Sequence, residues 1–457
     1  MRVSVVGLGK LGLCTAACVA SKGHDVVGVD SAASVVEALN RRACPIRESG
    51  LPELLERSYG RMEFTADAGA ALRGSDITLI IVPTPSGPDG AFENGFVLSV
   101  LNSLAPALKE KVERGDFHVV DVVSTVMPGS SEGEFMPLLE GLTGGRRGRD
   151  FGFAYNPEFI ALGTVLRDFL NPDVVLIGAS DERTAGMVRR LYESVCDNEP
   201  RFAVMSPTNA EIAKLALNCY VTMKITYANE LARLCGAIDG ADVDAVAGAV
   251  GADTRVGGRC LKGGLGFAGP CFPRDNVAFQ RLAELNGVKL FLPPATVASN
   301  DFIVDDLFKY VETYVPTPSG RVALLGLSYK PGTHITERSQ SLMLMDRLLD
   351  AGYGVSLHDP AAEPDLTRWP SGRAVKYADP TEAVLSADGG AVVLAVAHPE
   401  YAGIDWAAVD RRLTRPLYLI DCWRMFRGFP FEGLRNIRYV GLGEGSSFRF
   451  LTDARGR

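Results

Sequence analysis

The sequence predicts an α/β protein with two parallel-sheet lobes, joined by a long central helix and a helical middle region. Two observations carry this prediction. The first half of the chain alternates short β-branched runs with helical stretches, which is the pattern of a parallel sheet covered on both faces. After residue 320 the motifs that open the chain recur in the same order.

Length and composition bound the possibilities. The chain has 457 residues, 47% of them hydrophobic and 22% charged, which is globular usage and excludes wholesale disorder. At ~100–200 residues per domain, two to four domains are expected, and we predict three, at 1–200, 201–302 and 318–457. The net charge of -8 argues against a nucleic-acid binder held by bulk charge.

Cysteine usage predicts a cytoplasmic protein without a metal site. The nine cysteines are scattered and form no CxxC pair, so they indicate neither a disulfide framework nor a zinc site. Met1 leads directly into an apolar run without a basic segment, so no signal peptide is predicted. The longest apolar stretch, Ile77–Pro83, is too short to span a membrane.

Hydrophobic periodicity locates the elements of the first lobe. Strands are predicted at Val3–Val6, Val26–Val29, Ile77–Val82, His118–Val123, Phe153–Tyr155 and Val174–Ile177. Helices are predicted at Leu11–Ser21, Ser34–Asn40, Val97–Leu108 and Glu182–Ser194.

A long helix is predicted to follow. Thr208 and Glu211 have the spacing of a capping box, and Pro207 stands at the helix entry. The helical pattern continues to about Cys235 without Gly or Pro. A helix of this length favours a spine between domains or a dimer surface.

The second α/β lobe repeats three features of the first. The matching pairs are Arg2–Leu8 with Arg321–Leu327, Val26–Asp30 with Val355–Asp359, and Ser75–Val82 with Ala387–Val396. Either a duplication or the shared sequence grammar of such lobes explains the matches.

A glycine-rich turn predicts a dinucleotide site in the first lobe. Gly7, Gly9 and Gly12 lie directly after a strand and open a helix, which is the Rossmann fingerprint. Asp30 ends the next strand, within reach of a ribose 2′-hydroxyl, where an acid would repel a 2′-phosphate. The motif therefore predicts NAD rather than NADP, against the alternative of a glycine-rich turn beside a helix-capping Asp.

The corresponding turn of the second lobe differs. Gly326–Gly332 lacks the triple-glycine spacing but carries Lys330. It is either a site for a different phosphate or a loop with a surface lysine.

A second glycine-dense loop, Gly263–Asp275, carries one cysteine and a carboxylate. Cys271 could attack an aldehyde, Asp275 could move protons, and Arg274 would favour the thiolate. The glycines would give a substrate close access to the backbone. The alternative is a buried cysteine beside a turn.

Two further sets of polar residues could complete a site. Lys214 and Asn218 share one face of the long helix and could stabilise an oxyanion, or could simply be a packed face. Thr125 and Glu158 follow strand ends, where ligands bind in open α/β sheets, although Thr and Asn-Pro-Glu turns are also common there.

With these motifs in order, the chain resembles the UDP-glucose/GDP-mannose dehydrogenase family over nearly its whole length. Its cofactor-side motifs are matched by Gly7–Gly12, Val82–Pro85, Ser124–Gly129 and Asn156–Phe159. Its substrate-side motifs are matched by Glu211–Tyr220, Gly266–Asp275 and Gly326–Thr333.

The resemblance implies catalytic roles for six residues. Cys271 would capture an aldehyde as a thiohemiacetal, and a second hydride transfer would give a thioester that water hydrolyses. Asp275, Thr125 and Glu158 would hold or activate that water. Lys214 and Asn218 would stabilise the oxyanions.

The resemblance also implies binding residues. NAD would contact Gly7, Gly9, Lys10, Leu11, Gly12, Asp30, Pro83, Thr84, Ser124, Thr125 and Arg274. The nucleotide sugar would contact Glu158, Phe159, Lys214, Asn218, Arg255, Lys262, Gly266, Phe267, Lys330 and Arg338. In the family Arg255 acts from the partner subunit, so a homodimer through the central helix is expected.

Four departures from the family pattern lie on the substrate side. Arg274 stands where Lys is usual, and Leu162 stands where the family carries a carboxylate. Glu337-Arg338 reverses the usual order, and Asp421–Arg424 replaces an Asp-Gly-Arg motif.

The sequence therefore predicts NAD-dependent, four-electron oxidation of a nucleotide-sugar C6 alcohol, with UDP-glucose to UDP-glucuronate as the first choice. UDP-N-acetylhexosamines, GDP-mannose and rarer nucleotide sugars stay open as substrates. The rival functions are a single-step β-hydroxyacid dehydrogenase and a non-catalytic nucleotide-sugar binding protein.

Overall fold

The computed structural model describes residues 1–316, 320–370 and 372–445. The chain divides into two compact units. Their residues are Met1–Leu217 with Arg281–Gly287 in the first, and Asn218–Gln280 with Val288–Arg457 in the second. The division into domains 1–200, 201–302 and 318–457 stays a prediction, and its boundary at 318 lies outside the described residues.

Eight strands form the sheet of the first unit. They are β1 (Arg2–Val6), β2 (Asp25–Val29), β3 (Met62–Thr65), β4 (Ile77–Ile80), β5 (Val119–Val122), β6 (Gly152–Tyr155), β7 (Val174–Ala179) and β8 (Arg201–Met205), in the order β3-β2-β1-β4-β5-β6-β7-β8. The six predicted strands are confirmed with small shifts at their ends. The edge strands β3 and β8 were not predicted, because their partly exposed residues give little hydrophobic pattern.

One pairing in this sheet differs from the predicted parallel arrangement. Strands β6 and β7 pair antiparallel, whereas β7 and β8 pair parallel. Strand β7 therefore begins at the end of the sheet at which β6 finishes. The connection between them does not need the crossover that a parallel pair requires.

Helices cover this sheet. They are α1 (Gly12–Ser21), α2 (Ala33–Asn40), α3 (Leu51–Ser58), α4 (Ala68–Arg73), α5 (Gly95–Arg114), α6 (Met136–Thr143), α7 (Val165–Leu170) and α8 (Glu182–Val195). The four predicted helices are confirmed. Helix α5 begins two residues earlier and ends six residues later than predicted, at Arg114, where Gly115 with a φ of +75° forms the C-cap.

The long helix is α9 (Pro207–Gly236). Its predicted capping box is wrong. Ser206 caps the helix instead, since its hydroxyl accepts a hydrogen bond from the Asn209 N–H at 3.4 Å. The Glu211 carboxylate accepts the N–H groups of Gly129 and Ser131, which are distant in sequence, and so does not serve the helix start.

The second unit holds further helices and a six-stranded sheet. The helices are α10 (Val243–Ala252), α11 (Phe272–Leu285), α12 (Leu292–Tyr314), α13 (Gln340–Asp350), α14 (Pro380–Leu385) and α15 (Trp406–Arg412). The residues of α11 from Arg281 onward belong to the first unit. The strands are β9 (Arg321–Leu325), β10 (Gly354–His358), β11 (Ala374–Lys376), β12 (Ala391–Leu394), β13 (Leu417–Asp421) and β14 (Ile437–Gly441). All their pairings are parallel, in the order β11-β10-β9-β12-β13-β14.

The second sheet repeats the topology of the first six strands of the first sheet. The first six strands of the first unit have the order of the six strands of the second, so the prediction of two similar α/β lobes is confirmed. Gly7 and Gly326, at the ends of β1 and β9, both have left-handed φ values, of +96° and +93°. A duplication stays one interpretation of this likeness.

Candidate active site

The glycine turn after β1 has the shape that a dinucleotide needs. An added Cβ would lie 2.2 Å from the Ile81 carbonyl oxygen at Gly7, and 1.8 Å from the Gly7 oxygen at Gly12. The fold itself therefore requires these two glycines. At Gly9 an added Cβ would meet nothing within 4 Å, so the bare backbone there leaves open space at the start of α1. This geometry fits close approach of a pyrophosphate to the helix N-terminus.

Asp30 has capacity for a ribose hydroxyl. Its carboxylate accepts the Leu8 N–H at 2.8 Å and the Ala32 N–H at 2.9 Å. A carboxylate has about four acceptor sites, and Asp30 is only partly buried. The predicted cofactor residues Gly9 and Asp30 thus fit NAD, and their roles stay predictions.

The equivalent carboxylate of the second unit is saturated. Asp359, which follows β10, is buried. It accepts four backbone N–H groups, from Leu327, Ser328, Ala361 and Ala362, and its Oδ2 lies 3.1 Å from His398 Nε2. Burial would raise the pKa of Asp359, but these hydrogen bonds outweigh it and hold the pKa well below its ordinary value. No acceptor capacity is left for a ribose.

The loops after β4 and β5 are tied together. The Ser124 hydroxyl accepts the Val82 N–H at 2.9 Å, and the Thr84 hydroxyl donates to the Thr125 carbonyl at 2.6 Å. Ser124 and Thr84 are buried, whereas Pro83 is exposed and Thr125 is partly exposed. Ser124 and Thr84 thus hold the loop that carries Thr125.

Glu158 and Lys214 come together in the first unit. The Lys214 ammonium donates to the Glu158 backbone carbonyl and lies 4.5 Å from the centre of the Phe159 ring. The Thr15 hydroxyl donates to Glu158 Oε1 at 3.1 Å. Burial raises the pKa of Glu158 to about 7, although Thr15 and Lys214 both act to lower it.

Sequence reasoning missed two buried carboxyl groups of this unit. Asp121 on β5 is fully buried, and neither of its oxygens has a hydrogen-bond partner among the described residues. Burial, and then the nearby Glu158, raise the pKa of Asp121 well above its ordinary value. Glu211 holds the turn that follows Thr125 through Gly129 and Ser131. An apolar strand with one acid was the available signal for Asp121.

The second unit brings together Cys271, Asp275 and Asn218. Cys271 immediately precedes α11, and its carbonyl accepts the Asp275 N–H at 2.9 Å. Cys271 is exposed, whereas Asp275 is 2% exposed. The Asn218 amide donates to Asp275 Oδ2 at 2.6 Å, and Arg274 Nε lies 3.5 Å from Oδ1. An exposed thiol thus lies at a helix N-terminus, one turn from a buried carboxylate.

The glycines before Cys271 are expected from the sequence to leave their backbone open to a substrate. The structure shows this expectation to be wrong. An added Cβ would overlap a protein atom at 2.1–2.9 Å at each of four positions. The overlapped residues are Ala232 for Gly263, Trp423 for Gly264, Asn300 for Gly266 and Tyr329 for Gly269. The loop needs glycines mainly because other side chains pack directly on its backbone.

A cavity of the second unit gathers two of the predicted substrate residues, Gly266 and Lys330. Tyr329, Gln340 and Trp423 also line it. The Trp423 indole N–H donates to the Ala395 carbonyl at 2.8 Å, which fixes the ring as a wall. Trp423 and Gln340 were not predicted as site residues, although Trp423 lies in the departing Asp421–Arg424 segment.

Other predicted substrate residues are not among those that line this cavity. Arg255 is exposed and forms an ion pair with Asp253 at 2.7 Å. Lys262 and Arg338 are exposed, and Arg338 has a left-handed φ of +55°. Phe267 is buried. Their substrate roles stay predictions.

The remaining cofactor-side residues and the cysteines complete the placement. Lys10 is exposed and Leu11 is partly buried at the start of α1. All nine cysteines lie in the described ranges, and none forms a disulfide there. In the same ranges no three His, Cys, Asp or Glu side chains group as a metal site, and none of the helices could cross a bilayer.

The fold and these sites define an NAD-dependent dehydrogenase with a second nucleotide-binding lobe. The chain belongs to the UDP-glucose/GDP-mannose dehydrogenase family. The family's NAD binding domain matches residues 1–196, its central domain 208–302 and its UDP binding domain 323–428. It is therefore a nucleotide-sugar 6-dehydrogenase.

Individual relatives agree with this family but differ in substrate. The UDP-glucose 6-dehydrogenase of Haloferax volcanii is 35% identical over 89% of this chain and 93% of its own length. The GDP-mannose 6-dehydrogenase of Pseudomonas savastanoi pv. phaseolicola is 33% identical over 79% of this chain and 82% of its own. The structure of a UDP-glucose dehydrogenase from Pyrobaculum islandicum has a TM-score of 0.83 and 32% identity, covering 97% of this chain and 98% of that one.

Proposed function

We propose that this chain oxidises the C6 alcohol of UDP-glucose to the carboxylate in the cytoplasm, consuming two NAD and one water. The observation that carries the proposal is the placement of Cys271 as the cap of α11, one turn before the buried Asp275. A helix N-terminus and a neighbouring cation, here Arg274, both stabilise a thiolate. A simple alcohol dehydrogenase has no use for such a thiol.

The chemistry balances as two hydride transfers and a hydrolysis. Bound NAD supplies the hydride acceptor for both oxidations. After the first, the Cys271 thiolate adds to the aldehyde carbon, and the oxygen takes a proton. Loss of the second hydride leaves a thioester. Water then attacks the acyl carbon, the C–S bond breaks, and one alcohol, two NAD⁺ and one water have become one carboxylate, two NADH and three protons.

The polar residues divide the proton and charge work. Glu158 has a pKa of about 7, so near neutral pH it can both take and give a proton. Lys214 and Asn218 lie one turn apart on α9 and supply a cation and an amide donor to oxyanions. Asp275 orients water. The Asn218–Asp275 hydrogen bond fixes both partners before a substrate arrives.

The choice of UDP-glucose rests on relatives and on the second lobe. Two relatives named UDP-glucose 6-dehydrogenase, at 35% and 33% identity, span 89% and 95% of the chain. The UDP binding domain matches the lobe whose cavity contains Lys330, a cation suited to a diphosphate. GDP-mannose is the second candidate, since relatives acting on it reach 33% identity.

We also propose a homodimer through α9. Tyr220, Tyr227 and Leu234 recur every seven residues, so they form one stripe along the helix, and each is about half exposed. Arg255 would then act on the nucleotide sugar of the partner subunit. A monomeric molar mass by light scattering at micromolar concentration would contradict this assembly.

The test is the number of NADH molecules formed per molecule of substrate consumed. UDP-glucose, GDP-mannose and UDP-N-acetylmannosamine are offered in limiting amount to the wild type, to Cys271→Ala and to Cys260→Ala. Cys260 is a matched control, because it is another exposed cysteine of the second unit. We expect two NADH from UDP-glucose in the wild type and in Cys260→Ala, and none or one in Cys271→Ala.

Each other outcome has a distinct meaning. Two NADH from another sugar would keep the reaction and replace the substrate. One NADH in all three proteins would exclude the thioester route. Turnover of no nucleotide sugar by the wild type would count against the proposed function as a whole.

A further inference from the structure

The loop before Cys271 has no regular secondary structure, and amide side chains replace the missing backbone partners. Asn229 of α9 accepts the Gly264 N–H at 2.8 Å and donates to the Leu265 carbonyl at 3.1 Å. Asn300 of α12 accepts the Phe267 N–H at 2.8 Å and donates to the Phe267 carbonyl at 3.1 Å. A carboxamide suits this task because it carries both a donor and an acceptor.

Gln340 provides the third set of contacts and joins three elements. At the start of α13, its Oε1 accepts the Gly266 N–H at 2.6 Å, and its Nε2 donates to the Asn300 backbone carbonyl at 3.1 Å. Gln340 is 5% exposed, and the amides of Asn229 and Asn300 are similarly buried. An apolar side chain of the same length would leave the Gly266 N–H without its acceptor.

Gly266 shows how closely this group of amides encloses the loop. Its φ is not in the left-handed region, so backbone conformation does not demand glycine. An added Cβ would instead lie 2.1 Å from Asn300 Oδ1 and 2.5 Å from Gln340 Nε2. The glycine is there to admit the two amides, which hold the loop five residues before Cys271.

The same Gln340 lines the cavity that contains Lys330, Tyr329 and Trp423. One buried side chain therefore touches both this cavity and the loop that precedes Cys271. Its neighbour Ser341 also lines the cavity. Among the described residues, the Ser341 side chain hydrogen-bonds only the Ser339 hydroxyl, at 2.9 Å.

We propose that Gln340 is a positioning residue, which holds the Gly264–Phe267 backbone so that Cys271 stands in register with a sugar bound from the second lobe. This inference rests on the proposed function for its chemical meaning. It assigns Gln340 no contact with the reacting atoms. Removing its two hydrogen bonds should misplace the thiol without removing the nucleotide's main contacts.

The test compares Gln340→Met with Ser341→Ala. Methionine keeps the length and approximate volume of glutamine but neither hydrogen bond. Hydrogen–deuterium exchange of ligand-free protein measures the loop directly. We expect at least about tenfold faster exchange of the Gly264–Cys271 amides in Gln340→Met, with other regions unchanged, and wild-type loop exchange in Ser341→Ala. Faster exchange throughout the second unit would show a general loss of stability and would overturn the proposed positioning role.

Steady-state kinetics give the second readout. We expect kcat of Gln340→Met to fall about 10–100-fold, since a small misplacement of a nucleophile has such effects, with KM for the nucleotide sugar within threefold of wild type. Unchanged exchange of the loop would overturn the proposal, whatever the substrate. Turnover of no nucleotide sugar by the wild type would overturn the proposed function, whereas normal kcat in Gln340→Met would overturn only the role of Gln340.

Discussion

Glu158 is held where ionisation is costly. Its pKa rises from an ordinary 4.5 to about 7. Between these two values the unfolded chain loses the Glu158 proton while the folded chain retains it. Rising pH therefore favours the unfolded state, and the free energy of unfolding falls across this window and stays lowered above pH ~7.

Replacing Glu158 by Gln removes this pH-dependent cost. Glutamine keeps an oxygen for the Thr15 hydroxyl. We compare the free energy of unfolding of Glu158→Gln with that of the wild type. We expect this difference to shift in favour of the variant by about 1–3 kcal/mol from pH 5 to pH 8. Urea unfolding at both pH values measures it. The exposed Glu113→Gln is the control and should show no such trend. A constant difference between Glu158→Gln and wild type would contradict a raised pKa.

The position of Glu158 could be predicted from the sequence, but its environment could not. Its place after a strand indicated a site residue, because ligands bind at the carboxyl ends of parallel strands. The Thr15 hydroxyl comes from helix α1 and the buried Asp121 from strand β5. Only tertiary packing brings such groups together.

At the scale of elements, the turn between β1 and α1 contains one glycine that the fold requires, Gly12, and one that we expect only cofactor binding to require, Gly9. Gly12→Ala would place a methyl group 1.8 Å from the Gly7 oxygen. We expect it to destabilise the protein by about 2 kcal/mol or more, because backbone must move to admit it. Gly9→Ala meets no atom within 4 Å, and its stability should stay within about 0.5 kcal/mol of wild type.

The same pair of variants should behave differently toward NAD. In Gly9→Ala the new methyl group fills the space that a pyrophosphate would approach, so we expect at least about tenfold weaker NAD binding by calorimetry. Denaturant unfolding of both variants supplies the stability comparison. Wild-type NAD affinity in Gly9→Ala would show that the cofactor does not approach this turn.

Elements with a clear local sequence pattern were predictable. Features that depend on contacts with residues distant in the sequence were not. The glycine turn and the strands of the sheet interior have hydrophobic patterns within a few residues. Edge strands β3 and β8 are half exposed, so their pattern is weak. Glu211 has capping-box spacing with Thr208, yet it binds Gly129 and Ser131 far earlier in the chain. A local rule cannot identify a partner about 80 residues away.

At the scale of the whole molecule, two lobes of similar topology match domains that bind different nucleotides, NAD in the first and UDP in the second. Each lobe has an aspartate directly after its second strand, Asp30 after β2 and Asp359 after β10. Its carboxylate accepts a backbone N–H of the glycine turn, from Leu8 in one lobe and Leu327 in the other. Asp30 keeps acceptor capacity, whereas the acceptor sites of Asp359 are filled by four backbone N–H groups and His398. The second lobe therefore lacks a free acceptor for the ribose contact that a dinucleotide uses.

This difference predicts the binding stoichiometry. We expect calorimetry to give one NAD per chain, and one UDP per chain in protein already saturated with NAD, because the two nucleotides occupy different lobes. Gly9→Ala should lose most NAD affinity and retain the UDP site, since the substitution lies in the first unit only. Two NAD per chain, or displacement of UDP by NAD, would mean that Asp359 yields its hydrogen bonds to a ribose, and the assignment of one ligand to each lobe would be wrong.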